Sequence, residues 1–339
     1  MPGAITETLG TSVECGEGAT VQANLAAVVK AYGSLDSRTS ISPSIFVIEP
    51  TNVCNFKCIM CPSDRISHKG FMELSVFERI VAKIRPSAKT VLLYLAGESL
   101  LHPNIIEMIR LLKDRTEAYV ILSTNGSMLG EEMSRELVES GLDELIVGVD
   151  GFTPETYASI RIGGDLENLK GNISGFLRAR GPRPRPRVVV QFIRMRENEQ
   201  EVQGFFDEWS QKGCDVSVNW LDTWAGQMRS LVSQVAFHNP ANQFDRTPCA
   251  DLWYKMAINW EGKVVLCCHD FSALGVIGDL TRQSVSEVWN GDAVQQLRRA
   301  HAKRDYQRTS LCRGCREWST DQDEFAYFEE VRKLGQNRP

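Results

Sequence analysis

Between Ser44 and Trp220 the chain alternates two hydrophobic patterns. Short apolar runs rich in β-branched residues fall at 45–49, 90–95, 119–123, 144–149, 187–193 and 216–220. Near 74–85, 103–114, 130–140, 166–180 and 199–212, apolar residues instead recur at three and four, the period of a helix with one buried face. Strand–helix alternation with short connections predicts a parallel sheet wound by right-handed crossovers. Six strands are too few to close an eight-stranded barrel. The expected fold is therefore α/β, a partial (β/α)6 TIM barrel. After Trp220, Gly, Pro and polar residues intervene as far as Pro248. Two short strand runs follow, 256–260 and 263–267, joined by Glu261-Gly262, a hairpin signal. A helix is expected at about 284–301, then a Cys pair and a polar helical tail. The predicted division is a leader over 1–42 with one helical stretch around 21–32, a barrel over 43–240, a small C-terminal domain over 241–325 and a tail over 326–339.

Composition narrows the function classes. At 339 residues and 42% hydrophobic, the chain is too apolar to be disordered over most of its length. No apolar run approaches the roughly 20 residues of a membrane span, and no secretory signal opens the sequence. A cytoplasmic location without membrane contact is expected. A net charge of −5 argues against nucleic-acid binding driven by counterion release. The run Arg178–Arg187 reads as a solvated, stiffened loop.

The ten cysteines change the picture. Seven fall into two spaced groups: Cys54, Cys58 and Cys61, then Cys249, Cys267, Cys312 and Cys315. In a cytosolic chain such spacing points to metal or iron–sulfur ligation rather than disulfides. Cys15 reads as a surface or packing residue of the leader. The first group sits on the loop after the first strand, where α/β sheets keep their chemistry. Three thiolates can hold three irons of a cubane and leave the fourth open to a chelating cofactor or substrate. Structural zinc wants four closed ligands, so it suits this group poorly unless His68 joins. The second group could close either a zinc site or a complete [4Fe–4S] cluster.

The C-x3-C-x2-C loop, with the segments that follow it in order, resembles the radical S-adenosylmethionine (SAM) superfamily. Leu95-Ala96-Gly97-Glu98 is similar to the family's Gly-Gly-Glu segment, although Ala96 replaces the first Gly and Ser99 the usual Pro. There Gly97 and Glu98 are implied to hold the methionyl amine. Ser123-Thr124-Asn125-Gly126 resembles the Thr-Asn-Gly turn, which puts Ser123 and Asn125 at the cofactor. Val147-Gly148-Val149-Asp150 ends the fourth strand. Relatives often carry a Ser at the position of Gly148, and Asp150 is counted with the cofactor residues. The resemblance further implies Arg161 at the SAM carboxylate, Met60 at the adenine and Gln191 toward ribose or substrate. The implied chemistry is reductive SAM cleavage to a 5′-deoxyadenosyl radical, with electrons from a flavodoxin or ferredoxin.

Residues from Cys249 through Cys315 resemble the auxiliary-cluster region called SPASM/twitch, in its shorter twitch form with one auxiliary [4Fe–4S] cluster. Two clusters and SAM are thus the implied cofactors. In relatives an acidic residue after the second cysteine serves as a base, which makes Asp270 the candidate, with His269 beside it. Cys268 and Cys214 are candidate hydrogen donors, and Asn219, Asp222 and Trp224 candidate pocket residues. The arrangement resembles twitch-bearing dehydrogenases of antibiotic aminocyclitol biosynthesis. It implies oxidation of a secondary alcohol on a small aminocyclitol or sugar. Epimerisation with a cysteine donor, peptide maturation and a non-catalytic zinc-stabilised binding module are the alternatives.

Overall fold

A computed structural model describes residues 19–228 and 246–317. The expectations for Cys15 and for the polar tail lie outside these residues. Six strands, β1 (Ile45–Ile48), β2 (Thr90–Leu92), β3 (Tyr119–Thr124), β4 (Glu144–Gly148), β5 (Arg187–Arg194) and β6 (Asp215–Trp220), pair in succession and in parallel. Helices α2 (Leu74–Ile84), α3 (Ile105–Arg115), α4 (Glu131–Glu139), α6 (Leu166–Arg180) and α7 (Val202–Ser210) connect them. A short helix, α5 (Pro154–Ile160), was not expected. Its signal is local: Thr153 caps the Thr156 N–H and Pro154 takes the first turn, but seven residues are too few to show a period.

The described residues form one open nine-stranded sheet, ordered β6-β5-β4-β3-β2-β1-β7-β8-β9. The expected hairpin is β7 (Lys255–Ile258) and β8 (Lys263–Val265), paired antiparallel. Its attachment was not foreseen: β7 runs parallel to β1 and so extends the barrel sheet. A ninth strand, β9 (Val276–Asp279), too short to announce itself, pairs with β8. The single helix expected near 284–301 is two, α8 (Val285–Trp289) and α9 (Asp292–Ala302). The chain leaves the helix at Gly291, whose backbone is extended, and both backbone groups of Thr39 bond the Asn290 side chain beside that break.

Strand alternation builds two cores. Phe46 and Ile48 of β1 enter the layer beneath the helices. Ile45 and Val47 enter the other face, with Leu92, Ile121, Ile146 and Val189. Burial on both faces is why these strands read as unbroken apolar runs. The inner face is covered by Val28 and Tyr32 of α1 (Ala19–Ser34) and by Trp253, Tyr254 and Leu297. Tyr32 donates its hydroxyl hydrogen bond to the Pro248 carbonyl at 2.9 Å. The leader helix thus helps cover the inner face of the sheet. Among the described residues no helix is long and apolar enough to cross a membrane.

Candidate cofactor and substrate site

The loop leaving β1 is braced by the segment that ends α5. Lys57 N–H donates to Ile162 O at 2.9 Å and Ile59 N–H to Ile160 O at 3.0 Å. Cys54, Cys58 and Cys61 lie close enough to affect one another's charge, and burial pushes all three thiols upward. The bracing carries Arg161 to within 3.9 Å of Cys58 Sγ through Nη1. Its guanidinium also grips one oxygen of Asp150, from Nε at 2.7 Å and Nη2 at 2.6 Å. The second Asp150 oxygen accepts the Ile193 N–H at 2.7 Å. Burial pushes the Asp150 carboxyl up, and Arg161 works against that rise. The departure at Gly148 now has a physical reason. A Cβ there would lie 2.1 Å from Arg161 Nη2, so the guanidinium fills the space that a side chain would need.

Gly97, at φ +80°, lies flat against the same loop; a Cβ would stand 2.5 Å from Thr51 O and 2.7 Å from Asn52 Cα. Glu98 is buried, and both its oxygens are engaged within the protein. Oε1 accepts from Leu100 N at 3.0 Å and Thr124 Oγ1 at 2.7 Å, and Oε2 from Asn125 N at 2.7 Å. Its carboxylate therefore ties the end of β2 to the end of β3. Asn125 in turn donates to Asn55 Oδ1 at 2.9 Å, inside the cysteine loop. Ser123 lies on β3 opposite Ile146. Met60 is buried with Ile160 and Met195, and its carbonyl accepts the Trp224 indole N–H at 3.2 Å.

A cavity of about 320 Å³ opens on the inner face of the sheet. Gln191, Asn219, Asp222 and Trp224 line one part, and Cys249, Cys267, Cys312 and Cys315 line another. Cys268 and His269 also face it. His269 Nδ1 meets Asp222 Oδ2 at 2.6 Å. Burial opposes charge on this imidazole, yet the Asp222 carboxylate holds it well above its ordinary range. Glu317 accepts the Thr223 N–H at 2.6 Å and the Cys315 thiol at 3.2 Å, which joins the β6 loop to the last cysteine pair.

Two candidates lie elsewhere. Asp270 does not line the cavity: its oxygens accept Leu274 N–H at 2.9 Å and Gly275 N–H at 2.8 Å and cap the loop between β8 and β9. Cys214 packs in the core beneath the helices, where burial pushes its thiol to about 11. Sequence reasoning missed Glu49, a carboxylate that ends an apolar run and is 3% exposed. It accepts N–H groups from Ala96 at 3.3 Å and Trp260 at 3.1 Å, and so links the Gly97-Glu98 segment to the hairpin turn.

The donor sets fit iron–sulfur clusters. Cys249 feels the charge of Cys315 and Cys312, and Cys267 that of Cys315, so the four thiols converge from three separate segments. Among the described residues no three Cys, His, Asp or Glu side chains are drawn together tightly enough to grip one ion; thiolates around a cubane stand further apart.

A cysteine loop after β1 of an open parallel sheet, backed by a four-cysteine site, defines the class. The sequence profile of the radical SAM superfamily matches residues 48–208, and that of SPASM, an iron–sulfur cluster-binding domain, matches 249–316. The chain carries a radical SAM domain and a SPASM region, and these domains imply SAM, a [4Fe–4S] cluster and auxiliary iron–sulfur chemistry. Among curated relatives, the tungsten-containing aldehyde ferredoxin oxidoreductase cofactor-modifying protein of Pyrococcus furiosus is 26% identical over 76% of this chain and 72% of its own. A probable GTP 3',8-cyclase of Methanococcus maripaludis is 31% identical over 38% of this chain and 43% of its own, so this match spans less than half of that enzyme. Solved structures share the fold. BtrN in complex with AdoMet and 2-DOIA has a TM-score of 0.55 at 18% identity, over 80% of this chain and 92% of BtrN. Streptococcus suis SuiB bound to precursor peptide SuiA has a TM-score of 0.63 at 14% identity, over 86% of this chain and 73% of SuiB.

Proposed function

We propose that this protein oxidises a secondary alcohol of a small aminocyclitol or sugar. The observation that carries the reading is the shared cavity. Polar residues able to hold hydroxyl and amino groups, Gln191, Asn219 and Asp222, line the same space as all four auxiliary cysteines, so a substrate bound there adjoins an electron acceptor. When bound, SAM and the clusters supply a low-potential electron, a radical that removes a hydrogen atom, and a sink for the substrate's second electron.

The chain's own part is positioning and proton handling. Cys54, Cys58 and Cys61 would hold the SAM-binding cluster, on a loop kept in place by Asn125 and by the end of α5. Gly97 brings backbone close to that loop, and Met60, Ser123, Asp150, Arg161 and Gln191 complete the SAM side. Glu98 contributes by holding the ends of β2 and β3 together. Cys249, Cys267, Cys312 and Cys315 would hold the auxiliary cluster. The Asp222–His269 ion pair lines the cavity and can orient a substrate hydroxyl, whereas the Asp270 carboxylate is engaged by its own loop. Cys268 faces the cavity and is the donor that epimerisation would need; Cys214 is outside it. The barrel–SPASM division near residue 240 is retained as a functional boundary, although the sheet is continuous across it.

The test is an anaerobic incubation of reconstituted protein with SAM, reductant and a panel of aminocyclitols in D2O. A product two hydrogens lighter, with 5′-deoxyadenosine formed in step, is expected, and a Cys312→Ala protein should lose it. A product of unchanged oxidation state carrying solvent deuterium on carbon would replace dehydrogenation by epimerisation. A second reading follows from the Pyrococcus relative, whose name describes cofactor modification. Turnover of a cofactor, but of no aminocyclitol, would favour it, whereas turnover of a precursor peptide would favour peptide maturation.

A further inference from the structure

His301, on α9, is 2% exposed and lies between two cysteines of the second group. Its Nδ1 stands 3.1 Å from the backbone N–H of Cys249. A peptide N–H can only donate, so Nδ1 is the acceptor and the ring proton must sit on Nε2. Nε2 is 3.4 Å from Cys312 Sγ, which makes that contact an N–H···S hydrogen bond. The ring cannot easily swing away: Tyr306 packs edge-on against it, with centroids 5.1 Å apart. Arg246 stacks over Tyr306 at 3.9 Å and donates to the Cys312 carbonyl at 2.6 Å. The thiolate and the carbonyl of Cys312 therefore both face donors, one of them on a cation.

Hydrogen bonds and positive charge at a cluster thiolate favour the reduced, more negative state. We infer that His301 is a positioning residue that raises the reduction potential of the auxiliary cluster through its Nε2–H···Sγ bond to Cys312, and so fits that cluster to accept an electron. The inference rests on the cluster and not on the identity of the substrate.

The test is redox titration of the reconstituted holoenzyme, followed by EPR and read on the cluster signal that SAM leaves unchanged, with iron content measured alongside. His301→Leu should keep its iron and make reduction about tenfold less favourable, ~59 mV for a one-electron couple. His301→Gln retains an amide donor toward Cys312 and should return most of that loss. In protein labelled with ¹⁵N-histidine, pulsed EPR of the reduced auxiliary cluster should show a histidine nitrogen coupling that wild type has and His301→Gln lacks, which separates it from the labelled His269 N–H at Cys267. That measurement keeps the inference testable if His301→Leu fails to assemble its cluster. An unshifted potential in iron-replete His301→Leu, or no such nitrogen coupling in the wild type, overturns it. Either result leaves the substrate assay untouched.

Discussion

Gly148→Ala is the sharpest test of how Arg161 is seated. The new Cβ would fall 2.1 Å from Arg161 Nη2 and 2.9 Å from Cζ. The end of an exposed arginine would swing aside at little cost. This one is held through two nitrogens by Asp150, whose side chain is 0% exposed. Moving the guanidinium leaves a buried carboxylate without its counter-charge. Breaking a buried pair from one side costs about 3 kcal/mol or more. The bond from Ile193 N–H to Asp150 survives, so about 3 kcal/mol is the expected loss. Arg161→Ala should lose a similar amount by exposing the same carboxylate. The double variant is the informative one, because the methyl then occupies space that the guanidinium has vacated. Its cost should match Arg161→Ala alone, a coupling of about 3 kcal/mol in a double-mutant cycle. Anaerobic urea unfolding of all four proteins measures this. Additive losses, or a Gly148→Ala protein within about 0.5 kcal/mol of wild type, would refute the claim that Gly148 exists to admit Arg161.

Glu49 gives a pH dependence. Burial raises its carboxyl from 4.5 to about 7, against the N–H donors of Trp260 and Ala96, with Glu261 adding to the rise. A folded pKa above the unfolded one contributes stability that is full below about pH 4.5 and lost as pH climbs through about 7, in total about 3 kcal/mol. Urea midpoints should show that loss in the wild type and a flatter profile in Glu49→Gln; parallel profiles would exclude the assignment. Gly97→Ala would press a methyl against Thr51 O and Asn52 Cα, both backbone, at positive φ. It should weaken SAM binding by at least about tenfold, equivalent to ~1.4 kcal/mol, in equilibrium binding to the reconstituted protein.

The six parallel strands were legible because burial on both faces leaves each as an apolar run bounded by helical periods. The seven spaced cysteines stood out because thiolate spacing within a loop is a local property, and the Gly97-Glu98 and Asn125 segments because they resemble radical SAM segments in the same order. What escaped the sequence was set by distance. β7 pairs with β1, more than 200 residues away along the chain, and nothing in Lys255–Ile258 names its partner. Asn290, at the break between α8 and α9, bonds Thr39, 251 residues earlier in the chain. Glu98 and Asp270 look alike as acidic candidates. Packing alone turned the first into a tie between two strands and the second into a loop cap. His301 shows no motif, and its contacts with Cys249 and Cys312 arise only when α9 meets the last cysteine loop. Most of the elements and the thiols able to bind iron could be read along the chain, since periodicity and ligand type are carried residue by residue. Which side chains share the cavity and which are consumed elsewhere is settled on folding, because hydrogen-bond satisfaction and burial are properties of residues brought together from different elements.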